Sequence, residues 1–328
     1  MKYYWLKLSE LLSRLFPRRM SYGLARRVAD LYLVFDKRGR ESTIANLRQI
    51  QASSGVALSA RALHSLAREN FLNFAKYLVD FFRFLRIDRD HLERIVHFGN
   101  VPAILDGLLQ HGKGIIFVSA HLGNWELGAA ALAALGYKIN AVALWVPNEK
   151  LNGLYQHYRT SRNINPIPFG RAARECMRKL HHNEIIAVVG DRDFTAAVQT
   201  VEFFGRPARL PDGPAKLALA TGAPLLPIFM IRLPDDTFAY IVDEPIWADR
   251  RRHAVDDVMR QIAVALERVI RQHSEQWFLF HNLWDLEEDR ALATATAFGN
   301  GAAAGSSRGC TPADRAFPGN DKDTGAAL

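Results

Sequence analysis

The feature that most constrains this chain is a series of short apolar runs, each followed by a helical pattern, from "RIVHFG" (94–99) to residue 273. Asn100 and Pro102 open a short helix, and an apolar run at 115–119 follows, leading into an Ala- and Leu-rich helical stretch from Glu126. Further strands are expected at 139–144 and 166–169 and at "IIAVVG" (185–190), with helices at 151–162 and 172–181 between them. A loop "DRDFTAAVQT" leads to "VEFFG" (201–205) and the helix "GPAKLALATG" (213–222). The strands "LLPIFMI" (225–231) and "FAYIVD" (238–243) precede a long helix at 254–273. Alternation of this kind argues for an α/β fold, a single domain with a largely parallel central sheet flanked by helices.

Residues 1–90 read as helical, and Ser59 is placed to cap a long helix whose apolar positions include Phe71, Phe74, Leu78, Phe81 and Phe82. Such an aromatic stripe suits a packed core, with lipid contact as the alternative. The first 50 residues hold 11 Lys or Arg against 4 Asp or Glu, a surplus of 7 that supplies nearly all of the net charge of +8. Aromatic residues such as Tyr3, Tyr4 and Trp5 share that segment. The combination fits an anionic membrane surface, and equally a core helix with a solvated basic face. We expect 1–90 to be a membrane-associating helical part of the fold, 91–286 the α/β core, and 287–328, rich in Ala, Gly, Ser and Thr, a disordered tail.

Several function classes find no support. No run reaches the roughly 18 apolar residues of a spanning helix, and no signal peptide is expected. The chain has no nucleic-acid module, so no nucleic-acid partner is expected. It has no phosphate-binding Walker loop, no dinucleotide glycine fingerprint and no His-Glu-x-x-His zinc helix. "GSSRG" (305–309) matches a serine elbow only formally, because no strand precedes it and no helix follows. The two cysteines, Cys176 and Cys310, can supply neither a disulfide framework nor a four-ligand zinc site, and no metal is expected.

The polar residues His121, Asn124, Trp125 and Glu126 stand where the first core strand turns into a helix. In open α/β sheets the crevice beyond the carboxyl ends of the strands is where ligands bind. Within one continuous helix, residues five apart point about 140° away from each other, so His121 and Glu126 could not meet there. With His121 in the turn and Glu126 in the first helical turns, both can face the crevice. The carboxylate is then expected to hold the imidazole in one tautomer. A structural histidine is the competing reading.

The block "GKGIIFVSAHLGNWELGA" resembles the His-x4-Asp/Glu block of bacterial lipid acyltransferases, the lipid A late acyltransferases and the phosphatidylinositol mannoside acyltransferases. "LYQHYR" (154–159), "GDRD" (190–193), "VEFFGRPARLPDGPAKLALATGAPLLP" (201–227) and "SEQWFLFHNLW" (274–284) follow in the order that superfamily shows. The resemblance spans about residues 1–286. Many lipid A enzymes carry a His-Arg-Arg-Trp-like run near the end, where this chain has "HNLW", a departure that bears on a lipid A precursor as acceptor.

The resemblance implies an O-acyltransferase that moves a fatty acyl chain from an acyl carrier protein or coenzyme A thioester to a hydroxyl of a lipid or glycolipid. No cofactor would be bound. The enzyme would work peripherally on the cytoplasmic face of the bacterial inner membrane. It implies His121 as general base and Glu126 as its orienting acid, with Asn124, Arg159, Arg192, Asp193, Glu202, Arg206 and Arg209 in substrate binding. Several of the latter have a plainer alternative. Arg192, beside Asp191 and Asp193, could form a structural ion pair, Arg159 could pair with a helix neighbour, and Glu202 could sit on a strand edge. Arg206 and Arg209, upstream of Gly213 and Pro214, make a donor-rich region suited to a phosphate or a thioester oxyanion. A thioesterase or lipid hydrolase with the same dyad, or a non-catalytic lipid-binding protein, are the competing functions.

Overall fold

The computed structural model describes residues 2–83, 89–143, 148–168, 172–192 and 198–285. The expected tail at 287–328 lies outside the described residues. Five helices come first: α1 (Lys2–Leu15), α2 (Arg18–Phe35), α3 (Lys37–Ala52), α4 (Ala60–Arg83) and α5 (Arg89–Ile95). Strands and helices then alternate: β1 (Val96–His97), α6 (Val101–Leu109), β2 (Ile115–Ser119), α7 (Trp125–Ala134), β3 (Ile139–Ala143), α8 (Glu149–Thr160), β4 (Ile164–Pro168), α9 (Ala172–His181) and β5 (Ile185–Val189). A hairpin, β6 (Val198–Phe203) and β7 (Arg206–Pro211), precedes α10 (Gly213–Thr221), β8 (Leu225–Arg232), β9 (Phe238–Val242) and α11 (Val255–Gln272).

Seven strands form one sheet in the order β1-β9-β8-β2-β5-β3-β4. Five of them, from β8 to β4, pair in parallel, and β9 runs antiparallel to β8. The expected mostly parallel sheet is therefore present, with reversed strands on one edge, as is common in such sheets. Side chains of β2 alternate between two apolar layers. Ile115 and Phe117 pack with Leu105 of α6 and Leu132 of α7, whereas Ile116 and Val118 join Leu180 of α9, Ala215 of α10 and Leu266 of α11. Burial on both faces explains why the strands read as unbroken apolar runs.

The β6–β7 hairpin stands apart as its own two-stranded sheet. Its second strand, begun and ended by "RP" and "LP", carries prolines that argue against a strand in the sequence. Phe204 and Gly205 at its tip both have positive φ, as a tight two-residue hairpin turn demands. Trp284 of the "HNLW" run donates from Nε1 to the Phe203 carbonyl at 3.2 Å and packs beside Phe203 and Phe204.

Ser59 accepts a hydrogen bond from the Ala62 N–H, capping α4 as its sequence predicts. The aromatic stripe of α4 is core. Phe74 packs edge-on against Phe278 and Phe280, and Tyr77 stacks on Trp125 with ring centroids 4.5 Å apart. Asparagines on α3 and α4 hold the segment 274–284 by its backbone. Asn70 donates to the Trp277 carbonyl at 2.7 Å, and Asn46 donates to those of Leu279 and His281. No helix among the described residues is long and apolar enough to cross a membrane.

Candidate active site

The site is built where β2 and β5 end side by side. These strands pair in parallel with Ser119 opposite Val189. His121 and Asp191 each follow by two residues, so the register alone delivers them to the same spot beyond the carboxyl edge. His121 Nδ1 lies 2.8 Å from Asp191 Oδ1, and the His121 backbone N–H donates to Asp191 Oδ2 at 2.9 Å. Trp277 Nε1 donates to the same Oδ2 at 2.7 Å. The Asp191 carboxylate is fully buried. Burial pushes its pKa up, but the nearby His121 charge and the hydrogen bonds from the His121 ring, Trp277 and the His121 backbone outweigh that and hold it below the ordinary Asp value.

The loop from β2 to α7 is fixed by its backbone. Phe278 N–H donates to the His121 carbonyl at 2.7 Å, Gly123 N–H to that of Gln276 at 2.9 Å, and Asn124 N–H to that of Met230 at 2.8 Å. Gly123 has φ of +61°, and a Cβ there would stand 2.0 Å from the Met230 carbonyl oxygen. No other residue fits so close an approach. Trp125 packs its ring edge-on to His121, with centroids 5.1 Å apart.

The expectation that Glu126 orients His121 is corrected here. Asp191 holds the imidazole, and Glu126 Oε1 accepts from Nη2 and Nε of Arg159 at 2.7 and 3.2 Å. The local placement is the expected one, with His121 at the strand end and Glu126 in the first turn of α7, which Asn124 caps as its Oδ1 accepts from the Leu127 N–H at 3.1 Å. What differs is the partner that the tertiary structure brings to each: Asp191 from the end of β5 takes the imidazole, and Arg159 from α8 takes the Glu126 carboxylate. Burial works against the Arg159 charge, yet Glu126 more than restores it, and the Arg159 pKa rises.

A cavity of about 790 Å³ opens beside the dyad, and His121, Trp125, Arg159 and Arg192 contribute to its wall. Most of the remaining wall is apolar, from Val142, Val188, Leu217 and neighbours. A narrower pocket of about 90 Å³ continues beneath Trp125, Glu126 and Arg159, between α7 and the sheet. Such a cavity, apolar with a few convergent polar groups, is of the size that takes an elongated ligand. With Nδ1 committed to Asp191, the basic nitrogen of neutral His121 is Nε2, and the pair can accept a proton from a bound hydroxyl or water.

The other expected site residues are dispersed. Arg159 and Arg192 line the cavity. Asn124 is 1% exposed and acts as the α7 cap. Glu202 and Arg206 are exposed on the hairpin, and Arg209, half-buried, sits opposite Thr200. None of these three is among the described residues lining the cavity. Asp193 lies outside the described residues. Sequence reasoning noted Asp191 only as a neighbour of Arg192, and it passed over Trp277. The available signal for Asp191 was its place two residues past an apolar strand, the same offset as His121, but it has meaning only once β2 and β5 are neighbours.

A family model for bacterial lipid A biosynthesis acyltransferases matches residues 1–285. The phosphatidylinositol mannoside acyltransferase of Mycobacterium tuberculosis, in each of two strains, is 34% identical over 127 residues. That stretch is 38% of this chain and 40% of the relative, so the match spans about two fifths of the relative's length. The protein of the same name from Mycolicibacterium smegmatis is 25% identical over 240 residues, covering 70% of this chain and 77% of the relative. The "HLGNWE" turn, the parallel sheet that carries it and a family match over nearly the whole described chain lead to one conclusion: the chain belongs to the bacterial lipid A biosynthesis acyltransferase family.

Proposed function

We propose that this protein is an O-acyltransferase that carries a fatty acyl chain from a thioester donor, acyl carrier protein or coenzyme A, to a hydroxyl of a lipid or glycolipid. The observation that carries the reading is the His121–Asp191 pair, its carboxylate buried and its imidazole at the wall of a largely apolar cavity. His121 Nε2 takes the proton of the acceptor hydroxyl as its oxygen attacks the thioester carbonyl. The tetrahedral intermediate then collapses, breaking the carbon–sulfur bond. The imidazolium returns its proton to the departing thiolate, so ester and thiol leave and His121 is restored. Asp191 positions the ring and balances its positive charge. Arg159 and Arg192 bring positive charge to the cavity wall, where an anionic headgroup or the developing oxyanion gains from it.

A peripheral location on an anionic membrane surface fits the same reading. Met20, Leu24, Val28, Leu31 and Phe35 recur every three to four residues along α2 and are exposed, Phe35 to 80%. Arg19, Arg26 and Arg27 are exposed beside them. An apolar stripe flanked by cations is the composition of an interfacial helix.

Product analysis tests the proposal. Purified protein with a radiolabelled acyl thioester and a mannosylated phosphatidylinositol should yield acylated glycolipid that depends on the acceptor. Free fatty acid formed at the same rate with and without acceptor would assign the dyad to a hydrolase instead.

A further inference from the structure

One carboxylate on the wall of the same cavity has an oxygen that the fold leaves unused. Asp212 precedes α10 as its N-cap residue, and its side chain is 5% exposed. Its Oδ2 pairs with Lys216 Nζ at 2.6 Å. Its Oδ1 is buried with no hydrogen-bond partner among the described residues, and the side chain makes no capping hydrogen bond to α10. Asp212, Gly213 and Lys216 all line the cavity that holds His121. Buried carboxylate oxygens normally have partners, because leaving one unpaired costs the hydration it has lost. That oxygen can therefore accept a hydrogen bond from a donor that a ligand brings into the cavity.

The charge at this spot decides which donor. A carboxylate already occupies the positive end of the α10 dipole. A phosphate or oxyanion placed there would meet like charge, so the anion site expected from the sequence before "GPAKLA" does not fit Asp212. A neutral donor does. In the proposed reaction two groups qualify, a hydroxyl of the acceptor and an amide N–H of the pantetheine arm. A hydroxyl can donate to Asp212 and also accept from the Lys216 ammonium beside it, whereas an amide N–H can only donate. The Asp–Lys pair thus matches a hydroxyl on both counts.

We propose that Asp212 binds the acceptor, its Oδ1 holding a second hydroxyl of a sugar or polyol headgroup while His121 deprotonates the first. This rests on the acyltransferase reading and narrows it to acceptors with at least two hydroxyls. Hydrogen bonds to a charged group are strong enough that loss of one weakens binding by roughly tenfold or more. A site built to receive a hydroxyl also rejects the analogue that lacks it.

The test uses the full chain, an acyl-coenzyme A donor, and phosphatidylinositol mannoside with its monodeoxymannose analogues as acceptors. Asp212→Ala should raise the acceptor KM by roughly tenfold or more with the donor KM unchanged. Asp212→Asn, nearly isosteric, should fall between, and unfolding temperatures of both variants establish that they are folded. Wild type should discriminate sharply against one deoxy analogue, and Asp212→Ala should not. A rise confined to the donor KM would assign Asp212 to the pantetheine amide and overturn the proposal. Unchanged constants for both substrates would overturn it too. Failure of the acyltransferase reading shows separately, as a wild-type enzyme that transfers no chain. In that event the Kd of the mannoside in detergent decides, and equal values for wild type and Asp212→Ala reject the site.

Discussion

His121 is gripped at its ring by Asp191, at its backbone N–H by the same carboxylate, and at its carbonyl by Phe278. Asp191 is in turn held by Trp277, so the imidazole is positioned by residues from two separate stretches of chain, 191 and 277–278. Two carboxylates near the site hence have different tasks: Asp191 serves the histidine, and Glu126 serves Arg159. Asp191→Asn should keep the shape but lose the charge that balances the imidazolium. In a serine-protease triad the equivalent change lowers turnover by about 10⁴, and without a covalent step a fall of roughly 10²–10⁴ is expected here. Glu126→Gln should cost less in turnover and act mainly through the placement of Arg159. Steady-state kinetics of the two variants, with circular dichroism to verify folding, will rank them. A folded Asp191→Asn enzyme with wild-type turnover would remove the dyad from the mechanism.

Helix α2 has two apolar faces. Tyr22, Ala25 and Ala29 are buried against the fold, and Tyr22 Oη donates to the buried Asp80 at 2.6 Å. The opposite stripe, with Leu24 and Leu31, stands in solvent at 44% and 59% exposure. Placing Asp at both positions leaves the buried face intact and sets charge where the stripe would meet lipid. Leu24→Asp/Leu31→Asp should therefore sediment less with anionic vesicles while retaining its unfolding temperature. Each Lys or Arg near an anionic surface contributes about 1 kcal/mol within a Debye length, so added salt should weaken wild-type binding as well. Vesicle binding equal to wild type would show that α2 does not face the membrane.

At the scale of the whole molecule, the segment 274–284 closes the structure, linking α3 and α4 to Asp191 and to the hairpin. His281 is buried in it, and burial, with the charges of Arg192, His121 and Arg38 against that of Asp191, lowers its pKa from 6.5 to about 4. The unfolded chain therefore binds a proton below pH 6.5 that the folded chain refuses until about pH 4. Stability is lost across that interval as pH falls, by about 2 kcal/mol at pH 5 from this group. Asp191, whose folded pKa is depressed, contributes stability that is lost at still lower pH, as it protonates. Thermal unfolding at pH 7 and pH 5 should show a larger drop for wild type than for His281→Gln, and equal drops would refute the assignment. The sequence by itself determined the alternation of strands and helices in the core apart from β7, the capped α4 and the turn that carries His121, because periodicity and end signals are local. It could not determine that β2 and β5 are neighbours in register, which brings Asp191 rather than Glu126 to the imidazole. Nor could it show that Glu202 and Arg206 turn outward on a separate hairpin. Those depend on which strands pair and which faces are covered, and such contacts between distant segments are chosen only when the whole chain packs.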